Sequence, residues 1–125
     1  MSTGTRILFI EDELYIAELY AQVLQHSNYT VKIIADGAVG LQVAQKEPFD
    51  VILLDLMLPN MTGMEILRNL RDPAKTPGFQ SKVIILTNLD EDDATKSEIQ
   101  SMAQGYLIKA EITPKQLVQY LQQLA

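Results

Sequence analysis

The chain has no cysteine, which removes disulfides, thiolate zinc sites and cysteine nucleophiles at once. It is also short of basic residues. Lys and Arg number 10 against 16 Asp and Glu, for a formal net charge of -6. A phosphate backbone is bound by clustered Lys and Arg, so this balance speaks against nucleic-acid binding. No apolar run approaches the roughly 20 residues of a membrane span. The opening stretch, MSTGTRILFI, lacks the charged start, long apolar run and small-residue cleavage site of a signal peptide. Internal repeats and low-complexity tracts are absent too. What remains is a soluble cytoplasmic domain with no membrane and no direct nucleic-acid partner. At 125 residues the chain is the size of one ordinary domain, long enough to bury a core without disulfides or a structural metal.

What is present is an alternation. Apolar periodicity predicts strands at Arg6 to Ile10, Thr30 to Ile34, Val51 to Leu54, Lys82 to Thr87 and Tyr106 to Ile108. Between and after them it predicts helices at Glu13 to Ser27, Ala38 to Lys46, Gly63 to Arg71, Asp92 to Gln104 and Thr113 to Leu124. The first helix shows Ile16, Leu19, Tyr20, Val23 and Leu24 on one face. The fourth is very polar. Thr113, Pro114 and Gln116 form a helix start with a capping box. Asp72 to Ser81, with Pro73, Pro77 and Gly78, is a loop. Strands alternating with helices imply βαβ units: a parallel sheet covered on both faces, doubly wound, of α/β class. In such sheets ligands bind beyond the carboxyl ends of the strands, where strand order reverses.

The residues at the strand ends and just after them carry the chemistry. They are Glu11 and Asp12, then Asp55, then Thr87 and Asn88, then Lys109. Clustered carboxylates repel one another unless a cation or a raised pKa relieves them. Oxygen-only donors without His or Cys suit Mg²⁺ or Mn²⁺ rather than zinc. A metal, a lysine and a hydroxyl around one free carboxylate are equipped for phosphoryl transfer, with Asp55 as nucleophile. Asp90 to Asp93 reads as a solvated cap of the fourth helix, Glu11-Asp12 as both helix cap and metal ligands. His26 reads as an exposed residue at a helix end. Tyr106 is either a fixed core aromatic or a moving one.

Taken in order, ILFIEDE, VILLDLMLPNMTGMEIL, VIILTN and GYLIK make the chain resemble the receiver domain of two-component response regulators, including the bacterial chemotaxis regulator. The resemblance spans residues 1–125 as one domain. It implies a flavodoxin-like (βα)5 sheet of order 2-1-3-4-5 and a phosphorylation-controlled switch. Asp55 would accept a phosphoryl group from a sensor histidine kinase or a histidine phosphotransfer protein. Asp12, Asp55 and the Met57 backbone carbonyl would bind Mg²⁺ directly, and Glu11 through a water. Lys109 would contact the phosphoryl oxygens, Thr87 would move toward them, and Tyr106 would rotate inward. A downstream protein target would read the surface of the fourth helix, fifth strand and fifth helix.

The chain departs from the family pattern at three positions. Glu11 replaces the commoner Asp. Asn88 stands where Ala or Gly is usual, and its bulk beside the path of the attacking water should slow loss of the phosphoryl group. Ala110 follows Lys109 where Pro is usual, so the Lys109–Ala110 bond should be trans and the loop to Ile112 should take another route. Three other functions compete. A haloacid-dehalogenase-type phosphohydrolase needs a second Asp where Met57 stands. An inert pseudo-receiver would be expected to lose Asp55 or Lys109. Flavin binding needs a phosphate loop that does not follow Ile10. The end of the chain just after the last helix fits a stand-alone receiver or a piece of a longer regulator.

Overall fold

The structure is a computed structural model and describes residues 5–124. The reading of the chain's opening stretch falls in part on residues 1–4, outside them. The elements run β1 Arg6–Ile10, α1 Leu14–His26, β2 Thr30–Ile34, α2 Gly37–Lys46, β3 Val51–Leu54, α3 Gly63–Arg71, β4 Lys82–Thr87, α4 Asp93–Met102, β5 Gly105–Ile108 and α5 Pro114–Leu124. A 3-10 turn, Lys109–Glu111, joins β5 to α5. All strand pairs are parallel, in the order β2-β1-β3-β4-β5, as the sequence implied.

Successive side chains of a strand point to opposite faces, and both faces are covered. Leu8 and Ile10 of β1, Ile52 and Leu54 of β3 and Ile85 of β4 join Leu41, Ile66 and Leu70 from α2 and α3 in one core. Ile7, Phe9, Leu53 and Ile84 join Ala17, Leu24, Leu117 and Leu121 from α1 and α5 in the other. That is why β3 reads as an unbroken apolar run: all of Val51–Leu54 is buried. No helix among the described residues is long and apolar enough to cross a membrane.

The differences from the sequence reading have local causes. The buried face of α1 is Ala17, Tyr20, Ala21 and Leu24, and Leu19 is 44% exposed. Two of these four are alanines, and a reading that follows the bulky residues turns the face too far. α4 stops at Met102 because Gln104 belongs to the sheet edge. Its backbone N–H donates to the Val83 carbonyl at 2.8 Å, and its side-chain oxygen accepts from the Val83 N–H at 2.7 Å. The caps expected for α4 and α5 are in place. Asp92 accepts from the Thr95 N–H at 2.8 Å, and Thr113 and Gln116 exchange bonds of 3.1 and 2.8 Å.

Candidate functional site at the carboxyl edge of the sheet

Parallel register brings the strand ends together. Ile10 lies opposite Leu54, Leu54 opposite Ile85, and Thr87 opposite Ile108. The next residues along these strands, Glu11, Asp55 and Lys109, therefore meet Thr87 on one edge. This edge flanks β1, where the chain reverses its direction across the sheet. Backbone bonds from Glu11 N–H to the Ile34 carbonyl (3.0 Å) and from Asp55 N–H to the Ile10 carbonyl (3.1 Å) continue the ladder into the site.

Four polar side chains are buried here: Glu11 at 0% exposure, Asp55 at 4%, Thr87 at 0% and Lys109 at 8%. Buried polar groups require partners, and these supply one another. The Thr87 hydroxyl donates to Asp55 Oδ1 at 2.7 Å, and the Met57 N–H donates to the same oxygen at 3.2 Å. Lys109 Nζ donates to Asp55 Oδ2 at 3.2 Å and to Glu11 Oε1 at 2.7 Å. Glu11 Oε2 accepts from the Glu13 N–H at 3.1 Å. Asp12 is exposed, yet a carboxylate oxygen from each of Glu11, Asp12 and Asp55 lies within 4.8 Å of the others.

Charge sets the protonation. Burial pushes the Glu11 carboxyl up, against the opposing pull of its bond from Lys109; the neighbouring Asp55 charge adds to the rise. Burial works against the Lys109 ammonium. Its bond to Glu11 and the charges of Asp55 and Glu11 outweigh that and hold it above the ordinary lysine range. Lys109 bonds Glu11 and Asp55, the Asp12 carboxyl lies close to both, and the cluster offers oxygen donors only. That donor set fits a hard divalent cation such as Mg²⁺. Both Glu11 oxygens are already engaged, whereas Asp12 is open to solvent.

Tyr106 is half-buried, its ring packed beside the core under α3 and α4, and its hydroxyl donates to the Leu89 carbonyl at 2.9 Å. Burial raises its pKa. His26 is exposed at the end of α1, its Nδ1 3.0 Å from the Gln22 carbonyl. Asp90 pairs with Lys96 at 2.9 Å. Glu11 and Asp12 do not cap α1; the cap position is Glu13, with no side-chain bond. Lys109–Ala110 is trans, since the described residues hold no cis peptide, and the chain reaches Ile112 through the 3-10 turn Lys109–Glu111.

Three features escape sequence reasoning. Glu13 Oε1 approaches Lys109 Nζ at 3.5 Å. The loop from β3 to α3 is tied to the start of α2 by the Gly37 N–H to the Pro59 carbonyl at 3.1 Å and by the Asn60 amide to Asp36. Asn88 Oδ1 accepts from the Ala110 N–H at 2.9 Å. The last had a signal: positions 88 and 110 both depart from the family pattern. A cleft of about 850 Å³ lies at the amino ends of the strands, lined by residues such as Arg6, Asp50, Phe79 and Lys82. It is remote from Asp55, and no convergent catalytic set lines it.

Comparison with known proteins agrees with the geometry. Response regulator ArlR of Staphylococcus epidermidis is 41% identical over 105 residues, which are 84% of this chain and 46% of that protein. The chain thus spans about half the length of the curated relatives it matches. The chemotaxis response regulator CheY4 of Vibrio cholerae superposes with a TM-score of 0.82 at 30% identity, covering 98% of this chain and 99% of that one. The receiver domain of sensor histidine kinase PA1611 from Pseudomonas aeruginosa PAO1 superposes with a TM-score of 0.80 at 27% identity, over 96% of each chain, and holds a magnesium ion in its active-site cleft. Residues 7–122 match the response regulator receiver domain, and on that match the chain belongs to the receiver-domain family of response regulators.

Proposed function

We propose that this receiver domain is a cytoplasmic, phosphorylation-controlled signalling switch whose phosphoacceptor is Asp55. One observation carries the assignment. Asp55 is the buried carboxylate that both the Thr87 hydroxyl and the Lys109 ammonium reach, at 2.7 and 3.2 Å. The donor is the phosphohistidine of a sensor histidine kinase or a histidine phosphotransfer protein. An Asp55 carboxylate oxygen attacks phosphorus, the phosphorus–nitrogen bond breaks, and the imidazole leaves with the bonding electrons and takes a proton. Lys109 then faces the phosphoryl oxygens, and the Thr87 hydroxyl is within reach of them. Asp12, Asp55 and the Met57 carbonyl would hold Mg²⁺ directly and Glu11 through a water, and the same donors suit Mn²⁺. Bound there, the cation would offset charge on the transferring phosphoryl group. The acyl phosphate returns to carboxylate by hydrolysis at the same site, so the domain assists its own phosphorylation and dephosphorylation and turns over no separate substrate.

The output is a protein partner that reads α4, β5 and α5. A phospho side chain carries about -1.5 to -2 charges, enough to redirect Lys109 and Thr87. Thr87 begins a short path outward: its hydroxyl accepts from the Leu89 N–H at 3.1 Å, and Leu89 holds Tyr106 through its carbonyl. α4 rests on one buried residue, Ile99, which makes it the easiest helix to shift. A phosphohydrolase of the haloacid-dehalogenase type is less well supported, because Met57 stands where the second Asp is needed. Intact-mass spectrometry after treatment with Mg²⁺ and acetyl phosphate should show one added phosphoryl group, absent in Asp55→Asn. Labelling that survives in Asp55→Asn would refute the assignment.

A further inference from the structure

We infer that Asn88 is a positioning residue, whose side-chain carbonyl fastens the turn that carries Lys109 and so keeps the ammonium on Glu11 and Asp55. The turn cannot fasten itself. Lys109–Glu111 is three residues of 3-10 helix, and the first N–H groups of any helix have no partner within it. Its closing bond, from the Ile112 N–H to the Lys109 carbonyl, is long at 3.4 Å. The turn is tied from outside at both ends. Behind it, the buried Tyr20 donates its hydroxyl to the Ile112 carbonyl at 3.1 Å. In front, Asn88 Oδ1 takes the Ala110 N–H at 2.9 Å.

Placement explains why this bond bears on the site. Asn88 follows Thr87, whose hydroxyl holds Asp55, and Ala110 follows Lys109, whose ammonium holds the other Asp55 oxygen. The Asn88–Ala110 bond joins these two segments one residue beyond their contacts with Asp55, so it sets the separation of hydroxyl and ammonium across Asp55. A proline at 110 would bring no N–H, and an alanine at 88 would offer no acceptor. The two departures are therefore a matched pair: one supplies the donor and the other receives it. The side-chain oxygen of Asn88 is spent on Ala110, which gives the residue a role apart from its bulk beside the path of water.

This inference rests on Asp55 being the phosphoacceptor, and the experiment separates the two. Asn88→Leu keeps the bulk and loses the acceptor, Asn88→Asp keeps an acceptor, and Asn88→Ala loses both. Three quantities are read in each: hydrogen exchange at the Ala110 amide, the rate of Asp55 labelling by acetyl phosphate, and the affinity for MgCl₂ from amide shifts. Loss of one hydrogen bond should speed Ala110 exchange and slow labelling by about three- to tenfold in both Ala and Leu variants. Asn88→Asp should retain exchange protection. Mg²⁺ affinity should stay within about twofold in Asn88→Ala and Asn88→Leu, because neither touches a proposed ligand or changes the charge. Labelling that follows bulk, with Asn88→Leu like the parent, would overturn the inference, as would unchanged exchange at Ala110. Failure of the underlying reading would appear differently, as no labelling of the parent protein.

Discussion

Lys109 has two carboxylates within 3.2 Å and 8% exposure. Removing one member of a buried charge group leaves the others uncompensated, at a cost of about 3–5 kcal/mol. Lys109→Met should therefore lower the urea midpoint strongly, and Mg²⁺ should restore part of the loss by taking over the balancing of Glu11, Asp12 and Asp55. An equal loss with and without Mg²⁺ would contradict the view that ammonium and cation answer the same negative edge. The same variant should slow labelling of Asp55 by about a hundredfold, the scale on which a single preorganised donor matters. Gly63 marks a different constraint. A Cβ there would overlap the Asp55 carbonyl oxygen and crowd Leu56. Gly63→Ala should thus destabilise by about 1–3 kcal/mol, as overpacking does, which thermal unfolding would register. Asp55, Thr87 and Lys109 were legible in the sequence because each ends or follows an apolar strand, and parallel strands align their ends. The partners of Glu13 and Asn88 were not. They depend on the path of two loops, and no local pattern encodes a contact between positions 22 apart.

Among the elements, the strands were the most legible, since a strand buried on both faces must be apolar throughout, as Val51–Leu54 is. Helix faces were less so. α1 packs through Ala17 and Ala21, residues whose small size hides them from a search for bulky apolar positions. The end of α4 was missed because Gln104 finds its partner in β4, a tertiary bond that overrides helical continuation. α4 is also where element-scale behaviour should be most distinctive. Ile99 is its one buried residue, so its amides should exchange faster than those of α1 or α3, which bury more. Protection in α4 equal to theirs would contradict the weak anchoring. Asp92 contributes through its cap. The Thr95 N–H holds its carboxyl below the ordinary aspartate range. A carboxyl with a depressed folded pKa stabilises fully above its unfolded value, and that contribution is lost as pH falls through the folded value. Asp92→Asn should accordingly flatten the acid-side fall of stability below about pH 4, measured as the urea midpoint against pH. A curve that still tracks the parent's would show that the cap does not couple to folding.

At the scale of the whole molecule, two cores share one sheet, and the charged edge sits where β1, β3 and β4 end between them. β1, β3 and β4 are almost wholly buried, whereas β5 is only half-buried along its length. A rigid platform therefore carries Asp55 and Glu11, and a softer flank carries Lys109 and Tyr106. The Thr87-to-Leu89 segment joins the two, touching Asp55 at one end and Tyr106 at the other. The central claim is that charge arriving at Asp55 is felt across that flank. The most direct measurement is a comparison of amide shifts before and after beryllofluoride, a phosphoryl mimic, is bound in Mg²⁺, with Asp55→Asn as the control. The account predicts shifts at the site and through residues 87 to 120 in the parent, and none in the control. Shifts confined to Glu11–Glu13 and Asp55–Met57, with α4, β5 and α5 unmoved, would contradict it, and so would the same pattern in Asp55→Asn.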